Sequence, residues 1–446
     1  MRSLILSALV VTATACGSDS NAPMPDASTT NNPPPRVIPG GGIGDGPIDG
    51  VVNLYVIDDV TRLPVTAAMV QVGSITGSTD ATGLFVATGD LQGKQDISVA
   101  ATGYRSEYWI GANGANITID LKPGADPAVT EANLSGSITG FDAITVPAGH
   151  HKAAYVVYSQ DDKATSAENN LTTAGSANIC DVATPTGACT FTVTTRTGTV
   201  ALAAVILDHD LNGTPSDPSD DKYTAIGWAT ATGLQVQNGI SQTGVNLAIV
   251  PANQLTNVTV DFGTPPAGLT TVFAVIGVEL GDSGVLDLLP ELVSPTAPTL
   301  LVPSLSAFQG ATYRLTAAAS NGATMNAPES AIELRALTST AMSTGTWLAP
   351  PTGLTITRTG GSWTAESGAL VMGASYDIDA THHALAVTSF DGSTSYTIPD
   401  NLAVPSQGTL TGTGTALAGT VDLTNFSSDN DAAKVTGFAS QPLTIN

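Results

Sequence analysis

Positive charge is scarce in this chain. Fourteen Lys and Arg stand against 38 Asp and Glu in 446 residues, a formal net charge of −24. Phosphate backbones are held by clustered cations, so nucleic acid is excluded as an expected partner. Aromatic residues make up 5% of the chain and charged residues 12%. With Gly, Ala, Thr, Ser and Val abundant instead, the mixture fits many short strands and turns better than long amphipathic helices. No ten-residue stretch carries a clean helical period, and no H-E-x-x-H or Cys-His spacing is present to make a zinc signature. Long apolar runs are missing too. The most apolar stretch at the N-terminus, Leu4 to Ala15, is too short to span a bilayer.

That stretch follows a cationic Arg2 in "MRSLILSALVVTATAC" and reads as an export signal. Its end, Ala13, Thr14, Ala15 and Cys16, resembles the lipobox of bacterial lipoproteins, with Ala13 where that family usually has Leu. The resemblance implies that Cys16 is lipid-modified and becomes the new N-terminus. Two or three acyl chains, at roughly 0.8 kcal/mol per buried CH₂, would then tether the protein to a membrane it does not cross. An ordinary secretory signal cleaved nearby is the alternative. The expected address is the bacterial cell envelope, outside the cytoplasm, at the outer membrane or cell surface.

Only three cysteines occur. With Cys16 set aside, Cys180 and Cys189 form a lone pair in an oxidising compartment, and "CDVATPTGAC" carries Pro185 and Gly187 between them, suiting a turn that joins two strands. A Cys180–Cys189 disulfide is expected. From Gly17 to Gly50 the chain is rich in Ser, Asn, Pro and Gly, a composition that predicts a disordered stalk.

From Val51 to Pro123, alternation at Met69 to Gly73 and at Ile117 to Leu121, broken by Gly77, Gly83, Gly93, Gly103 and Gly111, predicts a small antiparallel sandwich. Here the sequence resembles the carboxypeptidase regulatory-like domain, a transthyretin-like sandwich of the carbohydrate-binding-like fold. The matching pieces are Thr61, Pro64, Val65, Ala68, Val70 and Val72, then "TDATGLF" from Thr79 to Phe85, then Val99 to Tyr104, and the closing strand Ile117 to Leu121. The match covers about a sixth of the chain. In that family the module is an accessory beside proteases, transporters and surface adhesins, so it implies no catalytic residue. Some relatives of the broader fold bind glycans. Tyr104, Tyr108 and Trp109 in "GYRSEYW" could stack on a sugar, and the competing reading is that these rings fill an aromatic-poor core.

The same strand grammar continues downstream. It predicts a second sandwich over 131–250 and a C-terminal region, 255–446, of one large or two small sandwiches. The Leu- and Pro-rich "GVLDLLPELVSPTAPTLLVPSLSAFQG" is expected to cross between sheets and to have room for a helical turn. The fold class expected for the whole is all-β, tandem Ig-like and transthyretin-like antiparallel sandwiches after a stalk.

One segment concentrates charge. "LDHDLNGTPSDPSDD", Leu207 to Asp221, follows the apolar run "TVALAAVI". Asp208, Asp210, Asn212 and Gly213 fit the first half of the D-x-D-x-N-G calcium loop, in which alternate oxygen-bearing side chains converge while Gly allows the bend. Position twelve is Ser219 where an EF-hand has Glu, and the flanks read as strands, which excludes an EF-hand. A calcium shell of another kind would be closed by Asp217, Asp220 or Asp221. The competing reading is a solvated acidic turn.

No catalytic residue is assigned. "GDSG", Gly281 to Gly284, resembles a serine-protease nucleophile segment, but Val285 replaces the next glycine and no matching histidine segment precedes it. The histidine pairs at 150–151 and 382–383 could contribute to a zinc site, but with no supporting spacing they are read as surface turns, and Asp377 with Asp379 shares a strand face without making a glycosidase pair. The sequence therefore points to a non-enzymatic, lipid-anchored surface protein acting in envelope structure, adhesion or ligand binding, whose partner is a polysaccharide or an envelope protein. Carbohydrate recognition is the first alternative, and accessory domains of an exported hydrolase the second.

Overall fold

The computed structural model describes residues 33–161, 178–183, 187–213, 220–293, 299–321 and 329–445. The export signal, Cys16, residues 17–32, Pro185 and Asp217 lie outside the described residues. Within them the chain is all-β, as its composition predicts, with thirty strands and a single four-residue α-helix, Ser428–Asp431. It divides into two compact units at boundaries other than those expected. One unit takes residues 33–127 together with 329–330 and 348–445; the other takes 128–321 and 331–347.

The first stretch forms β1 (Gly42–Gly44), β2 (Asp49–Asp58), β3 (Met69–Val72), β4 (Ile75–Ser78), β5 (Leu84–Gln92), β6 (Gln95–Ala100), β7 (Ser106–Ala112) and β8 (Asn116–Leu121). One sheet runs β1-β8-β2-β5, and β4-β3-β6-β7 forms the facing layer. Period two supplies the filling: Val52, Leu54 and Val56 from β2 meet Val70, Val72, Ile97, Val99, Ile117 and Ile119 in one core. The "TDATGLF" segment closes this sandwich by local bonding. Asp80 Oδ1 accepts from the backbone N–H of Thr82 at 2.7 Å and of Leu84 at 3.0 Å. Gly83, at φ +74°, passes so near β2 that a Cβ there would stand 2.6 Å from the Val56 carbonyl oxygen. Buried Thr79 takes the Ala68 N–H at 2.9 Å and gives its hydroxyl to the Val65 carbonyl at 2.7 Å.

The expected stalk does not extend to residue 50. Ile38, Ile43 and Ile48 are 3%, 0% and 2% exposed, and β1 pairs with β8 through Ile43 and Ile117. Three evenly spaced isoleucines bury enough surface to fix a segment whose average composition is that of a linker. The glycines serve close approach: a Cβ on Gly42 would collide with the Phe426 carbonyl.

The second unit comprises β9 (Glu131–Thr139), β10 (His151–Tyr158), β11 (Ile179–Val182), β12 (Thr190–Arg196), β13 (Gly198–Asp210), β14 (Lys222–Val236), β15 (Gln242–Ile249), β16 (Leu255–Asp261), β17 (Thr271–Glu279), β18 (Val285–Val293), β19 (Thr299–Pro303), β20 (Thr312–Ser320), β21 (Glu329–Leu337) and β22 (Ala341–Ser343). Its main sheet runs β11-β10-β13-β14-β15-β9-β12. Strand β13 is buried on both faces, which explains why "TVALAAVI" is continuously apolar instead of alternating. Val200, Leu202, Ala204 and Ile206 enter a core with Leu134, Phe191 and Val193. Ala203 and Val205 face the opposite way, into a core with Trp228, Ile276, Leu288, Tyr313 and Trp347. That second core is closed by β18-β17-β20-β21 and β19-β16-β22. The Leu- and Pro-rich segment thus supplies β18 and β19 to different sheets, with a 3-10 turn at Leu305–Ala307.

The Cys180–Cys189 disulfide is present, with Cα atoms 5.7 Å apart. It does not join hairpin partners. Cys180 lies on β11 and Cys189 immediately precedes β12, and these are the two edge strands of the seven-stranded sheet. The sheet curls around its core until its edges meet, and the bridge ties them there.

The last stretch adds β23 (Thr355–Thr357), β24 (Gly360–Ser362), β25 (Val371–Asp377), β26 (His383–Ser389), β27 (Ser395–Thr397), β28 (Leu410–Gly419), β29 (Phe426–Ser427) and β30 (Val435–Ile445). It belongs with the N-terminal sandwich. Strand β26 runs parallel to β7, pairing Val387 with Tyr108, so that β30-β28-β25-β26 continues into β7-β6-β3-β4, and β29 extends the other sheet beside β1. The expected 255–446 region is therefore divided between two units. Turn spacing marks strands along a chain but carries no information about which distant strand each will pair with.

Candidate functional site

Strand β13 outlasts its apolar run. Leu207, Asp208, His209 and Asp210 stay in the sheet, with His209 opposite His151 of β10 on one side and opposite Tyr223 of β14 on the other. The acidic segment therefore begins inside a strand, and successive side chains leave on opposite faces.

On one face, Asp208 Oδ1 lies 2.7 Å from His150 Nδ1, and Asp210 Oδ1 lies 3.6 Å from His150 Nε2. Asn212 turns the chain in the left-handed region at φ +50°. Its backbone N–H donates to Asp210 Oδ1 at 2.9 Å, and its amide donates to Asp220 Oδ2 at 3.2 Å.

The other face gathers residues from four strands or their ends. His209 Nδ1 is 2.9 Å from Asp181 Oδ2, and His209 Nε2 is 2.8 Å from Asp221 Oδ2. His151 Nδ1 is 2.9 Å from Asp181 Oδ1. Tyr223 stacks on the His209 ring at 4.3 Å between centroids, and His151 meets it edge-on at 5.6 Å. The His209 and Asp221 side chains are 5% and 6% exposed, while Asp181 is 39% exposed. The second oxygen of Asp221 is buried without a hydrogen-bond partner. Burial alone would pull the His209 pKa down; hydrogen bonds to Asp221 and Asp181 outweigh it and hold the imidazole above its ordinary value.

These positions decide how the expected calcium ligands fall. Asp208 and Asp210 stand with His150, Asn212 bonds Asp220, and Asp221 lies across the sheet with His209. The five of these residues that are described do not converge on one oxygen shell, because strand alternation parts Asp208 from Asp221. What comes together instead is His151, Asp181 and His209, one ligand atom from each lying within 4.8 Å of the others. The sequence places His151 in a surface turn, whereas it begins β10, and nothing in the sequence marks Asp181 as its neighbour. The signal was available in parity: His209 shares its side of β13 with Ala203 and Val205, not with its two aspartate neighbours.

The aromatic trio is placed otherwise than a sugar platform requires. Tyr108 and Trp109 are 6% and 7% exposed and enter two different cores, one on each face of β7. Trp109 packs against Phe390 at 5.0 Å. Tyr104 gives its hydroxyl to Asp58 at 2.7 Å. Ring faces committed to packing are closed to stacking on a sugar. Ser283 of the "GDSG" segment is likewise buried, in a 3-10 turn whose carbonyl accepts from Ser159 and Arg196.

No protein-family model and no curated protein matches the sequence. Among solved structures the chain is similar to the major pilin subunit of Bacillus cereus, at 11% identity and TM-score 0.15, covering 66% of this chain and 98% of that one. A shaft pilin of Lactobacillus rhamnosus GG gives 12% identity and TM-score 0.13, over 45% of this chain and 97% of that one. Two B repeats of the collagen-binding protein of Staphylococcus aureus give 11% and 0.12, over 89% and 98%. At such TM-scores the likeness carries nothing about function. Among the described residues no helix is long and apolar enough to cross a membrane.

Proposed function

We propose that this protein is an exported, lipid-anchored component of the bacterial cell envelope whose sandwiches make contacts and perform no catalysis. The observation that carries the reading is the Cys180–Cys189 bridge across the edges of a folded sheet. Such structural disulfides form and persist in oxidising compartments. With these two cysteines paired, Cys16 is the remaining one of the three in the sequence, at the end of the export signal where lipid attachment is expected. The resemblance of residues 51–123 to carboxypeptidase regulatory-like modules agrees with an accessory, partner-facing role. It is supported by the two facing sheets around one core and by the bonding of "TDATGLF".

The test is fractionation of a bacterial host expressing the full chain or Cys16→Ser, with intact mass measured after detergent extraction. The reading expects the native chain in the membrane fraction, starting at Cys16 and carrying acyl mass, and the variant released from it. A native chain that is soluble, unmodified and begins beyond residue 16 overturns the anchor.

A further inference from the structure

We propose that His151, Asp181 and His209 form a binding site for a divalent transition metal of the zinc type, with Asp221 fixing the His209 ring from behind. A neutral imidazole has one N–H, yet His209 presents both nitrogens to carboxylate oxygens, at 2.9 and 2.8 Å. A doubly protonated ring satisfies both carboxylates, and so does a neutral ring that donates Nε2–H to Asp221 while Nδ1 and Asp181 share a bound cation. The same Asp181 carboxylate also faces a second imidazole nitrogen, on His151 at 2.9 Å.

Three donors meet across β10, β11 and β13, two of them imidazoles, and imidazole nitrogen selects zinc, copper or nickel over calcium and magnesium. An ion about 2.1 Å from each donor in tetrahedral geometry would space neighbouring donors roughly 3.4 Å apart. The observed nitrogen–oxygen separations of 2.9 Å, each to a different oxygen of Asp181, would open by ~0.5 Å, and the three donors already lie within 4.8 Å of one another.

Asp221 is the independent observation. Histidine ligands to metals characteristically hand their remote nitrogen to a carboxylate, which fixes the ring and raises its basicity. Asp221 does this through a side chain only 6% exposed whose other oxygen is unpartnered, while Tyr223 stacks on the ring. Together they prevent His209 from turning away. The outer side of the site is open at Asp181, so water or a group from a partner could complete the coordination.

The experiment is calorimetric titration of the full-length chain, stripped with EDTA, using zinc chloride and, separately, calcium chloride. One equivalent of zinc should bind with micromolar or tighter affinity, and calcium should not bind at this face. His151→Gln and Asp181→Asn should each weaken zinc at least tenfold, and Asp221→Asn about tenfold or more. Asp208→Asn, on the opposite face, should leave affinity unchanged. Thermal melting checks folding: zinc should raise the midpoint of the native chain and of Asp208→Asn, and not that of Asp181→Asn. Absence of zinc uptake by the native chain, unaltered affinity in Asp181→Asn and His151→Gln, or preferential uptake of calcium would overturn the proposal.

Discussion

His209 and Asp181 lie 2.9 Å apart, nitrogen to oxygen, although a whole strand separates the ones they stand on. Strand β10 runs between β11 and β13, and its register sets His151 beside both. The contact depends on where β11 is held, and β11 is four residues long with the disulfide one residue before Asp181.

Cys180→Ser should therefore act on stability and on the site together. Opening a loop of this size removes about 2–3 kcal/mol, read as a shift in the urea midpoint of the unit containing β9–β22. Near-ultraviolet circular dichroism of Tyr223 should change as well, since Asp181 loses its anchor beside the His209 ring.

Trp228 is fully buried and gives its indole N–H to the Leu301 carbonyl at 2.7 Å. Trp228→Ala should cost about 3–5 kcal/mol in equilibrium unfolding. Trp228→Phe should cost less, because it keeps much of the ring volume, although it too loses the hydrogen bond.

At Gly83 the positive φ and the 2.6 Å approach to Val56 act in the same direction. Gly83→Ala should destabilise the unit built from 33–127, 329–330 and 348–445 by about 1–3 kcal/mol. Gly93→Ala, at similar φ but with open space around it, should cost less. Thermal melts of the two variants side by side compare strain plus collision with strain alone.

His383 offers a pH test. Its hydrogen bond to Asp377 holds its pKa above the ordinary 6.5; burial opposes, Asp126 adds to the rise, and Arg105 opposes. The folded state therefore keeps a proton that the unfolded chain releases, so this contribution is complete below about pH 6.5 and is lost as pH climbs through the raised value. Urea midpoints measured from pH 6 to 9 should fall in the native chain, and His383→Gln should flatten that part of the slope.

Much of the architecture was legible as local grammar. Alternation over Ile117 to Leu121, the Asp80 to Gly83 turn and the pairing of Cys180 with Cys189 needed only residue types and spacing. The partnership of β26 with β7 was not, because a parallel pair joining residues nearly three hundred positions apart leaves no mark in either strand. The acidic segment shows the same limit at the scale of a site. Its carboxylates were visible, but the strand's continuation through Asp210 parts them, and the residues that complete the arrangement, His151 and Asp181, come from elsewhere in the sheet. Ile38, Ile43 and Ile48 were hidden by averaging, since a window rich in Gly and Pro conceals three buried anchors.

The bridge between β11 and β12 bears on how such a molecule behaves in a crowd. A curled sheet has two rims of backbone donors and acceptors, each able to recruit a strand from a neighbouring copy. Latching one rim against the other withholds both from that traffic. Under reducing conditions the latch opens, and both rims would become available to a strand from a neighbouring copy.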